Sequence, residues 1–267
     1  MGKELEFCRY EKDGHVARIT ITRPERMNAL HAPANLELNE VWDDFAADDD
    51  LWVAVLTGEG DRAFSAGNDL KYTAMVSQMK PEDRPKTGWA AGGFGGITSR
   101  FDLFKPMIAR VNGFALGGGF EMALACDIIV IADHANVGLP EPKVGLIAGA
   151  LGVHRLPRQA PLKAAMGYML TARHIPAQRA YELGLVSEVV PLAKLDDAVD
   201  AWVADILRCA PLSVRSTKEA ALTGLEMTLQ DAAKAEYKWE IARRKSPDSV
   251  EGPLAFAEKR EPKWSGA

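Results

Sequence analysis

Three consecutive glycines precede a glutamate in the stretch GFALGGGFE, residues 113–121. Glycine weakens a regular element by roughly 0.5–1 kcal/mol relative to alanine, so a run of three needs a reason. A helix starts with backbone N–H groups that have no acceptor within the helix, and a glycine-rich start can point them at a ligand oxygen. Glu121 would then supply an acid or a base in the first turn of that helix. Alternatively, the glycines only let a helix pack closely on a strand.

A second turn of small residues, FSAGNDL (64–70), also follows a predicted buried strand and opens a predicted helix. Two such turns can each present one N–H to a single oxygen, which is the geometry of an oxyanion hole. Donors of this kind contribute roughly 3–4 kcal/mol each to stabilising the charge that develops on a carbonyl oxygen. The expected substrate feature is therefore a carbonyl that becomes an enolate or a tetrahedral oxyanion.

A second carboxylate, Glu141, follows one predicted strand and a turn in GLPEPKVGL (138–146). Two carboxylates beside an oxyanion hole can hold a water molecule between them and transfer protons to and from a carbon atom. By position alone, each glutamate also has a simpler interpretation. Glu121 could be a surface carboxylate that suits a helix N-terminus, and Glu141 a loop charge.

Other kinds of chemistry lack their sequence patterns. The glycines are not followed by the Lys and Ser or Thr of a phosphate loop, and they do not form the G-x-G-x-x-G of a dinucleotide site. The chain has no G-x-S-x-G nucleophile motif, and its five histidines have no metal-ligand spacing. We therefore predict no metal site.

The composition is that of an ordinary globular protein, with 267 residues of which 47% are hydrophobic and 26% charged. A net charge of −5 without a basic block argues against binding to nucleic acid or an anionic membrane. The longest apolar run, residues 120–132, is too short to cross a bilayer. The three cysteines are widely spaced and suggest no disulfide framework, so we expect a reduced, cytoplasmic protein.

Strands and helices alternate around these motifs, which predicts an α/β protein. The predicted strands are 16–22, 52–57, 107–111 and 127–132. The predicted helices of this part are 33–47, one that opens within 65–79, 97–104 and 117–125, and the Pro- and Gly-rich stretch 80–96 is predicted to be a surface loop. After residue 150 the strand signal nearly vanishes, and the predicted helices are 161–169, 176–183, 194–208, 211–222, 228–245 and 248–260.

Six motifs in order make the chain resemble the crotonase superfamily, also called the enoyl-CoA hydratase/isomerase family. They are ITRPERMNAL, FSAGNDLK, KPMIARVNGFALGGGFEMALACDI, GLPEPKVGL, LTARHIPAQRAYELGLVSEVV and AFAEKREPKW. The resemblance covers essentially the whole length of the chain. In detail, the chain is similar to the carnitinyl-CoA dehydratase group. The resemblance implies a spiral of ββα repeats with the active site over residues 1–190, and a helical trimerisation region over 191–267. It also implies homotrimers or hexamers, and an acyl-CoA substrate such as those of fatty acid metabolism.

The resemblance also implies roles for individual residues. Glu121 and Glu141 match the acid–base pair, and the backbone N–H groups of Asn68 and Gly118 match the oxyanion hole. Gly149 matches the glycine that helps to place the water. The residues that match contacts to coenzyme A are Ala66, Lys71, Phe256 and Lys259. Since coenzyme A is part of the substrate, no separate cofactor is expected.

The two carboxylates favour a hydratase, which adds water reversibly across the 2,3 double bond of an enoyl-CoA, because hydration needs both an acid and a base. One alternative is an isomerase or a carnitinyl-CoA dehydratase-type activity on a specialised acyl-CoA. Another is an acyl-CoA-binding protein without catalysis. Ala148, Leu151 and Asn68 depart from the usual hydratase pattern, and the Asn68 side chain could face the acyl group.

Overall fold

The computed structural model describes residues 5–85 and 90–266. The strands of these residues are β1 (Cys8–Asp13), β2 (Val16–Ile21), β3 (Val53–Gly58), β4 (Ala63–Ser65), β5 (Met107–Val111), β6 (Phe114–Leu116), β7 (Ile128–Ala132), β8 (Asn136–Gly138), β9 (Ile175–Pro176) and β10 (Glu188–Val190). They form one sheet in the order β1-β2-β3-β5-β7-β10 and a smaller one in the order β4-β6-β8-β9. All neighbours are parallel except β1 with β2 and β8 with β9.

The helices of the described residues alternate with strands at first and then follow one another. They are α1 (Ala32–Ala47), α2 (Leu70–Ser77), α3 (Gly118–Ala125), α4 (Gly152–Gln159), α5 (Leu162–Thr171), α6 (Ala177–Glu182), α7 (Leu195–Leu207), α8 (Pro211–Gly224), α9 (Leu229–Ala232), α10 (Lys238–Lys245) and α11 (Asp248–Glu258). Short 3-10 helices include Phe94–Gly96 and Glu141–Val144.

Consecutive strands in the middle of the chain belong to different sheets. In the pairs β3/β4, β5/β6 and β7/β8, the first strand lies in the larger sheet and the second in the smaller one. The helix α2 follows the first pair, α3 the second, and the 3-10 helix Glu141–Val144 the third. Equivalent strands of successive repeats are parallel neighbours. The helix of each repeat therefore starts beside the start of the helix in the preceding repeat.

The larger sheet is covered on its faces by helices, as its sequence requires. Strand β3 reads VAVLTG and is buried over nearly its whole length, which is typical of a parallel strand covered on both sides. Helix α7 packs against β3, β5 and β7. Helix α1 contributes the fully buried rings of Trp42 and Phe45 to the same core.

The predicted helix over 97–104 is wrong, and the predicted surface loop over 80–96 is wrong in its last part. Residues 92–98 are buried and turn tightly, because Gly93, Gly95 and Gly96 adopt positive φ. Helix α1 holds this segment: Asn35 Oδ1 accepts the Gly95 N–H at 2.6 Å, and Trp42 Nε1 donates to Gly95 O at 3.1 Å. Residues 86–89 of the predicted loop lie outside the described residues.

The second half of the chain contains elements that the sequence pattern did not predict. Strands β9 and β10 each add an edge strand to one of the two sheets. Helix α4 begins at Gly152, next to Glu121. The single helix predicted over 228–245 is two helices, α9 and α10. Helix α10 begins anew because the Glu219 carboxylate accepts the backbone N–H groups of Lys238 and Trp239. The division at residue 190 stays a prediction.

Candidate active site

The turn between β4 and α2 is fixed by the segment 27–30. The Ala66 N–H donates to Met27 O at 2.9 Å, and the Leu30 N–H donates to Gly67 O at 2.8 Å. The Asp69 N–H then donates to Leu30 O at 2.9 Å. These bonds flank Asn68 on both sides and determine where its backbone N–H points.

Two buried polar side chains anchor this support. Asn28, which is 1% exposed, donates through Nδ2 to the Ala63 carbonyl at 2.7 Å and accepts the Arg23 N–H at 3.1 Å. Arg23 also forms an ion pair at 3.2 Å with Asp69, the residue that caps α2 through the Tyr72 N–H. The motif ITRPERMNAL therefore acts by positioning the second motif, FSAGNDLK.

Gly117 precedes α3 and has φ +55°, a left-handed conformation that glycine adopts without strain. A Cβ atom at this position would lie 2.8 Å from Oε1 of Glu141. The carboxylate of Glu141 therefore lies against the backbone at the start of α3, and glycine is needed there both for the conformation and for the space.

The next two glycines each allow a different close approach. A Cβ at Gly118 would lie 2.4 Å from Cε1 of Phe94, so the ring of Phe94 covers one side of this residue. A Cβ at Gly119 would lie 2.0 Å from the carbonyl oxygen of Ser65, at the end of β4. Close helix–strand packing, the alternative interpretation of the glycine run, is therefore correct for Gly119.

The two turns of small residues are neighbours. A Cβ at Gly67 would lie 2.8 Å from the backbone nitrogen of Gly118. As the first residue of α3, Gly118 has no acceptor for its N–H within the helix. Over residues 5–85 and 90–266, neither this N–H nor that of Asn68 donates a hydrogen bond. Two adjacent backbone donors are thus available to a ligand.

Glu121 lies in the first turn of α3 and is 3% exposed, which excludes a surface carboxylate. Its Oε1 accepts the Gly152 N–H at 2.7 Å. Burial, with a smaller repulsion from Glu141, raises the pKa of Glu121 to about 7, although the Gly152 and Ala150 N–H groups and the charge of Arg155 oppose the change. A group with this pKa gains and loses a proton at neutral pH.

Glu141 begins the 3-10 helix after β8, and its carboxylate is partly unsatisfied. Oε2 is buried and has no hydrogen-bond partner among the described residues. Burial raises the pKa of this carboxyl, because the charged form loses its hydration. The buried carboxyl of Glu121 and the half-buried Glu141, with its buried Oε2, thus form a pair beside the two available N–H groups.

Gly149 is exposed between the buried residues Ala148 and Ala150. It lies in the loop just before Gly152, whose N–H is bonded to Glu121. Its role in placing the water stays a prediction. The Asn68 side chain is tied down, since its Nδ2 donates to Thr73 Oγ1 at 2.9 Å.

The residues expected to bind coenzyme A lie in two separate parts of the chain. Ala66 is half-buried in the first turn, and Lys71 is exposed at the start of α2. Phe256 and Lys259 lie at the end of α11, where Phe256 is 86% exposed. In the described parts of the chain, no hydrogen bond, ion pair or ring contact joins the second pair to the first.

Sequence reasoning missed the residues that surround Glu121 from α4 and from the buried glycine-rich segment. Gly152 gives its N–H to Glu121, Arg155 lies one turn further along the same helix, and Phe94 covers Gly118. The available signal was GFGGIT (93–98), whose glycines are too dense for a mere surface loop.

Neither a metal site nor a membrane-spanning helix is found among the described residues. No three His, Cys, Asp or Glu side chains group there as a metal site would need, and the absence of a cofactor stays a prediction. In the same residues no helix combines the length and apolarity required to span a membrane.

Comparisons with known proteins agree with this geometry. Residues 11–267 match the family described as enoyl-CoA hydratase/isomerase. The chain belongs to this family. Two similar curated proteins are carnitinyl-CoA dehydratases, from Salmonella arizonae (39% identity) and from Escherichia coli K12 (40% identity), each over 98% of this chain and 99% of the relative. The prediction of a hydro-lyase-type enzyme is confirmed at this level.

Solved structures of the family share the fold. Crystal structures of enoyl-CoA hydratases from Mycobacterium marinum (36% identity) and Mycobacterium tuberculosis H37Rv (37% identity) both give a TM-score of 0.88 over 98% of this chain and 99% of theirs. The predicted crotonase-like α/β fold is therefore confirmed, including its repeats of two strands and a helix.

Proposed function

We propose that this enzyme adds water reversibly across the 2,3 double bond of an α,β-unsaturated acyl-CoA. The observation that carries the proposal is the pair of carboxyls, buried Glu121 and half-buried Glu141, next to two backbone N–H groups that lack acceptors in the described chain. Hydration develops negative charge on the thioester oxygen and needs one base and one acid. The site supplies all three components.

The thioester oxygen accepts hydrogen bonds from the N–H groups of Asn68 and Gly118. Glu121, kept partly ionised by its backbone donors, takes a proton from water as the water oxygen bonds to C3. The electrons of the double bond move to the thioester oxygen and form an enolate. Glu141 then gives its proton to C2 as the carbonyl forms again. Each carboxyl ends in the opposite protonation state, and the reverse sequence of steps eliminates water.

The surroundings of Glu141 favour this assignment of roles. Its buried Oε2 has no N–H donor in the described chain to stabilise an anion, whereas Glu121 accepts bonds from Gly152 and Ala150. Burial also raises the pKa of Glu141, so this carboxyl can carry the proton that the acid must supply.

Substitution of the two glutamates tests the proposal. We expect Glu121→Gln and Glu141→Gln each to reduce the kcat of crotonyl-CoA hydration by at least about a hundredfold, the low end for loss of an acid or base. Exposed Glu182→Gln is the matched control and retains wild-type rates. Near-normal turnover by either active-site variant would refute its role.

The specific substrate is the second part of the proposal. Curated relatives named carnitinyl-CoA dehydratase match the whole chain at about 40% identity, which favours a specialised acyl-CoA over a simple fatty acyl chain. Incubation of a panel of acyl-CoAs in deuterated water, read by mass, distinguishes the candidates. Product that gains the mass of water supports hydration, whereas product that gains only deuterium indicates an isomerase. Tight binding without any product indicates a non-catalytic protein.

The contacts to coenzyme A complete the proposal. We assign the adenine to the backbone of Ala66, a phosphate to Lys71, the nucleotide end to Phe256 and Lys259, and the water to the loop of Gly149. Because α11 is not joined to Ala66 or Lys71 by any described bond, Phe256 and Lys259 would act in a trimer or hexamer, on a neighbouring subunit. A crystal soaked with acetoacetyl-CoA should show the thioester oxygen about 2.7–3.1 Å from both nitrogens, Asn68 N and Gly118 N. An oxygen bound elsewhere would contradict the oxyanion hole.

A further inference from the structure

We propose that Arg155 is a positioning residue that keeps Glu121 ionised through its charge, without touching the substrate. The inference rests on the proposed function, because it concerns the base of that reaction. Arg155 lies on α4 three residues after Gly152, whose N–H is bonded to Glu121. A Cβ atom at Gly152 would lie 2.8 Å from Glu121 Oε1, and residues three apart lie on the same face of a helix, so Arg155 belongs to the face of α4 that meets Glu121.

No carboxylate among the described residues forms an ion pair with the guanidinium of Arg155. Nη1 is buried and has no hydrogen-bond acceptor in the described chain. The guanidinium carbon lies 5.8 Å from the centre of the Phe101 ring, and no ion pair of the described residues includes it. A guanidinium stays protonated even when buried, and a buried charge acts over longer distances than an exposed one.

Among the described residues, the charges of Glu121 and of the buried thiol of Cys126 act on Arg155. Glu121 in turn is acted on by two charged groups, Arg155 and Glu141. The remaining elements packed on α3 are β4 (AFS), β6 (FAL) and Phe94–Gly96 (FGG), none of which carries an ionisable side chain. Arg155 is therefore a cation that partly offsets the repulsion that Glu141 exerts on the Glu121 carboxylate.

The pH dependence of kcat/KM for crotonyl-CoA tests this role, with Arg155→Met, Arg155→Lys and Arg158→Met. Removing the charge makes Glu121 harder to ionise, so Arg155→Met should lower kcat/KM about fivefold at pH 7 and less than about twofold at pH 9. Arg155→Lys keeps the charge and should keep the wild-type profile. Arg158, which is exposed on the same helix, serves as the matched control and should change nothing.

A titration that does not depend on turnover separates this inference from the proposed function. In protein with ¹³C-labelled glutamate, the carboxyl signal that disappears in Glu121→Gln belongs to Glu121. We expect its midpoint to move to higher pH in Arg155→Met, and in Arg155→Gln as a second variant if the first does not fold. An unchanged midpoint, or an equal change in Arg155→Lys, would overturn the inference, whereas an active Glu121→Gln would overturn only the proposed function.

Discussion

Glu121 is buried and Glu141 is half-buried, and the two carboxyls also differ in what surrounds them. Glu121 accepts the backbone N–H groups of Gly152 and Ala150, whereas Oε2 of Glu141 has no partner in the described chain. In each case burial is the largest cause of the raised pKa. The two carboxyls therefore differ in their surroundings although their residue type is the same, and a reaction with one base and one acid needs two groups with different roles.

Burial of Glu121 also makes stability depend on pH. Its pKa rises from 4.5 to about 7 on folding, so the folded state binds more protons between these values. The stability that this pKa difference contributes is fully present below pH 4.5 and is lost as the pH rises through 7. The loss in the free energy of unfolding is at most about 3 kcal/mol.

Glu121→Gln removes this dependence, because glutamine resembles the protonated carboxyl. We expect the variant to unfold at nearly the same temperature as wild type near pH 5, and at a clearly higher temperature at pH 8. Thermal unfolding followed by circular dichroism across this range checks the prediction. The same difference at both pH values would show that ionisation of Glu121 is not its cause.

At the scale of elements, each glycine of the run 117–119 makes a separate junction possible. Gly117 accommodates Glu141, Gly118 the ring of Phe94, and Gly119 the carbonyl of Ser65. The first two junctions form the site, and the third joins α3 to β4. The two interpretations of the glycine run, a ligand site and close packing, are therefore both correct, at different residues.

Gly119→Ala tests the third junction. The added methyl group would lie 2.0 Å from a backbone oxygen, which cannot move away as a flexible side chain could. We expect a loss of about 3 kcal/mol or more in the free energy of unfolding, at the upper end for an overpacked core. The control is Gly167→Ala in α5, where the methyl group meets no atom within 4 Å and the helix gains about 0.5–1 kcal/mol. Equal stability of the two variants in urea would contradict the prediction.

The elements that sequence could predict are those whose own residues determine them. The run VAVLTG and the apolar spacing of α1 specify a buried strand and a helix without reference to the rest of the chain. The segment 92–104 could not be predicted in this way, because Asn35 and Trp42 of α1 hold it in its turns. For the site, the motifs pointed to Glu121 and Glu141, which the structure brings to the start of α3, but the pairing with Gly152 depends on a helix that the pattern did not show.

At the scale of the whole molecule, apolar side chains remain at the surface of the helical region 191–267. Leu225 is 80% exposed and Leu229 is 87% exposed, on either side of the turn that joins α8 to α9. Exposed apolar residues this close together are typical of a surface that a partner covers. They support the proposed trimer or hexamer.

Sedimentation equilibrium tests the assembly, and we expect a mass of three or six chains. The double substitution Leu225→Lys and Leu229→Lys should shift the protein toward smaller species, because it places charge in the covered surface. Lys234→Glu, an exposed change just after α9, is the control and should leave the mass unchanged. A monomeric wild-type protein would refute the assembly and with it the shared role of Phe256 and Lys259.

The division of the repeats between two sheets has a consequence for folding. Asn68 belongs to the first repeat, Gly118 and Glu121 to the second, and Glu141 to the third, so no single repeat contains the site. A partly folded chain with only two docked repeats would have both backbone donors but lack the second carboxyl. Recovery of turnover during refolding therefore reports the docking of the last repeat, and it should lag behind the recovery of secondary structure.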